Sequence, residues 1–203
     1  MLPLHPVEEL LWDIDQRWVS DGEPRIALRV LGSSALFLQT DYRRGTKDSD
    51  VLETTELTGP IRLRLTDLAG AGSALHREHG MYVEILANAY PFLPVEPAWV
   101  PRAALNADLA HFTVEALDVV DVVVAKLARL HGADRGDILA MVERGLVDPH
   151  LLVDRFRSAV GRVWMDARAD DLPRYVRNLN WLQRDLLGAP ETEVDLPPGV
   201  AND

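Results

Sequence analysis

Two short runs of this chain have residue types and spacing suited to chemistry. Leu28-Arg29-Val30-Leu31-Gly32-Ser33-Ser34-Ala35-Leu36 reads as a strand, a Gly-Ser turn and the opening of a helix. After a basic loop, Thr46-Lys47-Asp48-Ser49-Asp50-Val51-Leu52 reads as a second strand with two carboxylates. Alternate side chains of a strand share a face, so Asp48 and Asp50 point the same way and Ser49 opposes them. Such a pair suits a hard divalent cation, because Mg²⁺ is commonly held by one or two carboxylates with substrate phosphates completing its shell. The turn supplies the complementary half. A helix N-terminus offers unpaired N–H groups and a positive dipole end to a phosphate, Gly32 allows close backbone approach, and Ser33 adds a hydroxyl. Phosphate at the turn and a cation on the strand are the requirements of nucleotidyl transfer.

The surrounding pattern places these residues on regular elements. Residues 7–19 carry Leu10, Leu11, Ile14 and Trp18 at helical spacing and stop at Asp21-Gly22-Glu23-Pro24. A strand over 26–31, a helix over 33–41 and the carboxylate strand over 48–53 follow. Residues 60–78 predict a helix, although Ile61-Arg62-Leu63-Arg64-Leu65 alternates strictly and fits a short strand. Residues 81–87 predict a strand and 112–117 another. Between them, 92–104 contains Pro94, Pro97 and Pro101 and reads as irregular or as a sheet edge. From Asp118 the pattern turns helical, over about 118–131, 134–145, 149–167 and 171–187. The tail with Pro190 and Pro197-Pro198-Gly199 is expected to be disordered. The expected organisation is an α/β core over 1–117, a helical domain over 118–188 and a disordered tail over 189–203.

The Gly-Ser turn and Asp-x-Asp strand resemble the signature of the polymerase-beta-like nucleotidyltransferase superfamily. Asp118-Val-Val-Asp121, Lys126-Leu-Ala-Arg129 and Asp134-Arg-Gly-Asp137-Ile138 are similar to the abortive-infection type nucleotidyltransferase toxins and uncharacterised bacterial relatives. The two motifs together span about Leu28 to Val147. The resemblance implies an α/β fold with a nucleotidyltransferase-type mixed sheet and flanking helices, followed by a C-terminal helical bundle. It also implies Mg²⁺ or Mn²⁺ as cofactor and a nucleoside triphosphate as substrate. The monophosphate would move to an RNA or protein hydroxyl, in a toxin–antitoxin or phage-defence system with a cognate toxin or antitoxin as partner. In active enzymes of the superfamily a third carboxylate on a neighbouring strand helps deprotonate the attacking hydroxyl. Glu84 is the candidate. It is the only charged residue in Met81-Tyr82-Val83-Glu84-Ile85-Leu86, where a carboxylate needs a metal, a cation or a water-facing edge; an ordinary exposed edge position is the competing account. The equivalent of Lys126 meets the triphosphate in the resembling toxins, and that role is carried over to Lys126, with Arg129 beside it.

Other readings of these residues stand alongside. Asp118, Asp121, Lys126 and Arg129 fall within an arc of roughly 140° on a helix, so Lys126 also fits an ion pair with Asp121 or Asp118. Asp134 with Asp137 three residues on resembles a capping box, which is compatible with a supporting role in positioning Lys126. Arg43, Arg44 and Lys47 could meet a triphosphate or an RNA end, or form a solvated loop. His76 and His79 could share a metal, or be a solvated pair.

Composition bounds the remaining choices. The 203 residues have a net charge of −11 and 47% hydrophobic content, with no cysteine, so disulfide frameworks, thiolate metal sites and cysteine nucleophiles are excluded. The acidity, with a pI near 4.9, argues against broad sequence-independent binding of nucleic acid. There is no basic run before an apolar segment at the N-terminus, and no apolar stretch near the roughly 20 residues that span a bilayer; no membrane association and a cytoplasmic location are expected. No zinc-protease, Ser-His-Asp or Walker pattern occurs. The alternative to an enzyme is a catalytically degenerate nucleotidyltransferase-fold protein that binds a nucleotide or a protein partner.

Overall fold

The computed structural model describes residues 5–22, 24–87, 91–164, 167–198 and 200. The chain forms two compact units. One comprises the residues up to Pro91 together with Trp99–Leu117; the other comprises Phe92–Ala98 together with the residues from Asp118 onward.

The first unit is a mixed five-stranded sheet with flanking helices. Its strands, β1 (Ile26–Val30), β2 (Asp48–Leu52), β3 (Tyr82–Leu86), β4 (Trp99–Pro101) and β5 (Phe112–Leu117), lie in the order β3-β2-β1-β5-β4. β1 is antiparallel to β2 and parallel to β5, β2 is parallel to β3, and β4 is antiparallel to β5. The central strands bury their alternate residues, Ile26, Leu28 and Val30 on β1 and Phe112, Val114 and Ala116 on β5, which is the pleat expressed as a core. Helices α1 (Pro6–Arg17), α2 (Gly32–Gln39), α3 (Gly59–Ala69), α4 (Ala74–His79) and α5 (Ala103–Asp108) complete this unit.

α1 starts with Pro6 at a position where its missing N–H costs nothing. The His5 Nδ1 accepts from the Val7 N–H at 3.1 Å, and the Glu8 carboxylate accepts from the His5 N–H at 3.0 Å. Burial, helped by the Arg43 charge and opposed by Glu8, pushes the His5 imidazole down to about 4, so the ring is neutral at pH 7 and able to accept. Further along, Asp15 is 1% exposed and accepts three backbone N–H groups, from Ala110 and His111 at 2.8 Å and from Phe112 at 3.0 Å. The His111 carbonyl in turn accepts from the Ile26 N–H at 2.9 Å. One buried carboxylate therefore closes the entry to β5 and, through His111, the start of β1.

The second unit is helical, with α6 (Val119–Leu127), α7 (Gly132–Glu143), α8 (Pro149–Val163) and α9 (Leu172–Trp181); a 3-10 turn (Ala167–Asp171) precedes α9 and a π-helical turn (Leu182–Leu186) follows it. α6 is buried almost all round, from Val119 to Val124 and again at Leu127. Burial of those valines outweighs the few tenths of a kcal/mol that a β-branched residue costs a helix, which are small beside the ~1.5–3 kcal/mol for burying each side chain. Asp118 caps α6 through the Val120 N–H and Asp148 caps α8 through the Leu151 N–H. α9 closes the other end of α6, since Asn178 and Arg174 donate to the Leu127 and Ala128 carbonyls at 2.6 and 2.7 Å. Fully buried Asp121 accepts from the Ala98 N–H at 2.7 Å and from two nitrogens of Arg155, whose Nη2 also donates to the Glu96 carbonyl at 2.8 Å. That network ties Phe92–Ala98 to α6 and α8. Among the described residues no helix is long and apolar enough to cross a membrane.

Several expectations that stood open are resolved, and others are revised. The alternating Ile61–Leu65 run is helical: Ile61, Leu65 and Ala69 are buried at four-residue spacing while Leu63 is 64% exposed, so the alternation has no sheet behind it. Within 92–104, Trp99–Pro101 forms an edge strand on which the missing Pro101 N–H is harmless, and α5 follows, held by Asn106, whose amide both accepts from and donates to the Val114 backbone. The helix expected over 149–167 is described to Val163; residues 165 and 166 lie outside the described residues, as do Glu23, residues 1–4, Gly199 and 201–203. The segment expected to be disordered from residue 189 is instead placed, as far as it is described, against α8 and α9. Thr192 donates to Asn180 and accepts from Gln183, Arg157 donates to the Glu193 carbonyl, and Val194 is 3% exposed. An apolar valine and these polar contacts supply what the prolines of the tail do not.

Asp15 provides a stability test. Replacing it with Ala leaves three N–H groups without their charged acceptor, and hydrogen bonds to charged groups contribute ~1.5–3 kcal/mol. Asp15→Ala should lower the unfolding free energy by about 3 kcal/mol, read as a shift of the urea midpoint at unchanged slope; Asp15→Asn should lose clearly less.

Candidate active site

The turn after β1 is shaped by what lies beside it. The Leu31 N–H donates to the Asp50 carbonyl at 2.8 Å, fastening the end of β1 to the middle of β2. Gly32 then adopts φ +60°, and a Cβ at that position would stand 2.8 Å from Asp50 Oδ2. Both facts require glycine, one through the left-handed backbone and the other through a carboxylate occupying the space a side chain would need. α2 starts at Gly32 and buries Ser34, Ala35, Leu36, Phe37 and Leu38, and Gln39 donates to the Leu117 carbonyl at 2.7 Å. Its direction is thereby set, and the N–H groups of its first turn have no carbonyl of their own helix to meet.

β2 and β3 bring the acidic groups together. Their parallel register sets Asp50 opposite Glu84 and Asp48 opposite Tyr82, and one carboxylate oxygen from each of Asp48, Asp50 and Glu84 lies within 4.8 Å of the others. Asp48 and Asp50 are half-buried and Glu84 is exposed; the intervening Ser49 faces the interior and is fully buried. The register thus gathers three negative charges on one side of the sheet. The charges reach Tyr82: burial pushes its hydroxyl up, and Asp48, Glu84 and Asp50 push it further.

Neighbouring side chains fasten the arrangement. Thr46 donates to Asp48 Oδ1 at 3.0 Å, Ser34 donates to the Asp48 carbonyl at 3.3 Å, and the Tyr82 N–H donates to the Lys47 carbonyl at 3.0 Å. In the basic loop, Arg44 donates to the Ser33 hydroxyl on the first turn of α2. Three oxygen donors with no nitrogen or sulfur among them suit a hard divalent cation, and Gly32 keeps the space over Asp50 clear. The residues present fit such an ion.

The second set of sequence candidates forms its own cluster in the helical unit. Lys126 is 6% exposed, and its Nζ lies 3.0 Å from Asp134 Oδ1 and 2.8 Å from Asp137 Oδ2, both aspartates being fully buried. Arg129, 64% exposed along its side chain, donates through Nε and Nη2 to the two oxygens of Asp134, each at 2.9 Å. The partners are thus Asp134 and Asp137, while Asp121 serves Arg155 and Asp118 caps its own helix. The cap of α7 is also one turn earlier than the sequence suggests: His131 precedes the helix, and Asp134 is its third residue, reaching back to the His131 N–H at 3.1 Å. Burial alone would push the Asp134 carboxyl up, but hydrogen bonds and charges from Arg129 and Lys126 prevail and hold it down at about 2.

The two histidines do not share a ligand site. His76 Nδ1 accepts from the Gly72 N–H and its ring lies edge-on to Tyr82, with centroids 5.0 Å apart. His79 pairs with Asp13 at 2.8 Å. A further group of Asp13, Glu78 and His79 is compact, but Arg17 grips both oxygens of Glu78, so its charge is already met. Sequence reasoning missed Thr46 and Tyr82. Each lies two residues before an acidic candidate on an extended chain, a spacing that places it on the same face.

A family model described as "Nucleotidyltransferase of unknown function" (DUF6036) matches residues 9–175, and the chain belongs to this family. The match covers the turn, the three carboxylates and the Lys126–Asp137 cluster. No curated protein and no solved structure matches the chain.

The turn can be tested through Gly32→Ala. The substitution places a methyl against Asp50 and a Cβ on a left-handed backbone, which costs ~1–2 kcal/mol. The variant should melt several degrees lower and, unlike wild type, show no further rise in melting temperature on addition of Mn²⁺. Retention of the full Mn²⁺-dependent rise would separate the turn from the acidic site.

Proposed function

We propose that this protein is a metal-dependent nucleotidyltransferase that moves a nucleoside monophosphate from a nucleoside triphosphate to an RNA or protein hydroxyl. The observation carrying this reading is the convergence of three carboxylates from β2 and β3 beside the Gly-Ser turn that opens α2. Asp48 and Asp50 would hold Mg²⁺ or Mn²⁺ beside Glu84, and the ion when bound neutralises phosphate charge and stabilises the departing pyrophosphate. The first turn of α2, with Gly32 and Ser33, receives the β- or γ-phosphate through backbone N–H groups and the Ser33 hydroxyl. The acceptor oxygen attacks the α-phosphorus in line; its new bond to phosphorus forms as the bond to the pyrophosphate oxygen breaks. Glu84, across from Asp50 and open to solvent, takes the acceptor's proton.

In the helical unit, the roles of Lys126 and Arg129 divide by exposure. Lys126 pairs with Asp134 and Asp137 and so fixes α6 to α7, whereas Arg129 keeps most of its side chain in solvent, with a guanidinium of the chemistry that meets phosphate. Asp134 supports both. The similarity of this cluster to the abortive-infection type toxins supports a role in a toxin–antitoxin or phage-defence pair, with a cognate toxin or antitoxin as partner.

Glu84→Gln tests the enzymatic reading because it keeps shape and removes the basic group. A proton acceptor contributes 10²–10⁴-fold to rate, and one acting chiefly in the transition state affects turnover rather than binding. With α-labelled triphosphates, Mg²⁺ or Mn²⁺ and cellular RNA or protein as acceptor, wild type should transfer label. Glu84→Gln should bind triphosphate within a few-fold of wild type and transfer at least about a hundredfold more slowly. Binding without transfer by wild type would identify a nucleotide-binding family member without turnover.

A further inference from the structure

The three carboxylates are not restrained alike. Asp50 is confined by packing, its Oδ2 filling the space that the missing Gly32 side chain leaves. Glu84 is exposed on a strand at the sheet edge. Asp48 is the first residue of β2, where the ladder begins and the preceding loop ends. A carboxylate there can turn about its terminal torsion, which has broad preferences. What meets it is Thr46. On an extended chain residues two apart share a face, and the Thr46 hydroxyl lies 3.0 Å from Asp48 Oδ1 and 3.2 Å from the Asp48 carbonyl. A hydroxyl has one proton to give. The carbonyl already accepts from Ser34, and a bond to an ionised acceptor is the stronger of the two, so the proton goes to Oδ1.

We propose that Thr46 is a positioning residue for the cation site, its hydroxyl holding Asp48 Oδ1 so that the other oxygen is turned toward the ion. The proposal rests on the reading of Asp48, Asp50 and Glu84 as that site. Two features make Thr46 suited to it. A β-branched side chain is stiff at χ1, so its hydroxyl is a fixed rather than a roving donor. The hydrogen bond also places positive character against one oxygen of a carboxylate that faces two like charges, which keeps Asp48 from swinging away while the ion is absent. Groups that orient a metal ligand through its second atom typically change affinity 10–100-fold when removed. Thr46 has that relation to Asp48.

The test uses Mn²⁺ alone as probe, with the electron paramagnetic resonance signal of free Mn²⁺ read during titration of the full-length protein. Asp50→Asn serves as the control for the site itself. Wild type should bind one Mn²⁺ that Asp50→Asn loses. Thr46→Val, which keeps the branched shape and removes the donor, should bind at least tenfold more weakly. Thr46→Ser, which keeps the donor, should stay within about threefold of wild type. The rescue by Ser is what a merely structural role of the threonine methyl would not give, and circular dichroism confirms that all variants are folded. Thr46→Val binding as tightly as wild type, or Thr46→Ser binding as weakly as Thr46→Val, overturns the proposal alone. Wild type binding no Mn²⁺ overturns the site reading, and the proposal with it.

Discussion

The parallel pairing of β2 with β3 is the constraint on which the candidate site depends. A one-residue slip would turn Asp48 and Asp50 to the opposite face from Glu84. The slip is resisted from behind: Ser49 and Val51 are fully buried, and Val83 nearly so, so any shift would carry polar groups into the core. It is resisted from the side by the Leu31 N–H on the Asp50 carbonyl and by the Tyr82 N–H on the Lys47 carbonyl. The sheet thus converts apolar burial on one face into the close approach of like charges on the other. Three carboxylate oxygens gathered this closely, with no nitrogen or sulfur among them, are a donor set suited to a hard divalent cation, and that is the physical ground for reading it as a binding site.

The helical unit solves its charge problem differently. Lys126, Asp134 and Asp137 are almost completely withdrawn from water, and a buried charge persists only when paired and hydrogen-bonded. Here Lys126 meets both aspartates, and Asp134 is further engaged by Arg129 and by the His131 N–H. The low Asp134 pKa follows from that crowding by donors. Because the folded value is depressed, its stabilising effect is full above the ordinary aspartate range near ~4 and is lost as the pH falls toward about 2.

What could be read from the sequence was local. The Gly-Ser turn, the Asp-x-Asp strand and the apolar periods of α1 and α6 are written over a few residues each, and the elements formed close to their expected ends. The contacts that span the chain were not legible. Asp15 looks like an ordinary helix residue because its three partners lie some 95 residues away. The Ile61–Leu65 alternation left a short strand open beside the expected helix because arginines at 62 and 64 are as compatible with a helix surface as with a strand. Asp134 looked like an N-cap because aspartate is a good one; His131 took that place because Asp134 does the same chemistry from three residues inside. Glu84 was a candidate from the resemblance and from its apolar neighbours, but its position opposite Asp50 required the β2–β3 register.

Asp48, Asp50 and Glu84 are proposed to form one divalent-cation site. Anomalous diffraction from crystals of the protein soaked with Mn²⁺ and a non-hydrolysable triphosphate tests it most directly. The expected result is one strong anomalous peak within coordination distance of the Asp48 and Asp50 carboxylates, on the Glu84 side of β2, with the phosphates extending toward the first turn of α2. An Mn²⁺ peak bound instead at Asp13, Glu78 and His79, or no ordered ion beside Asp48 and Asp50, would contradict it.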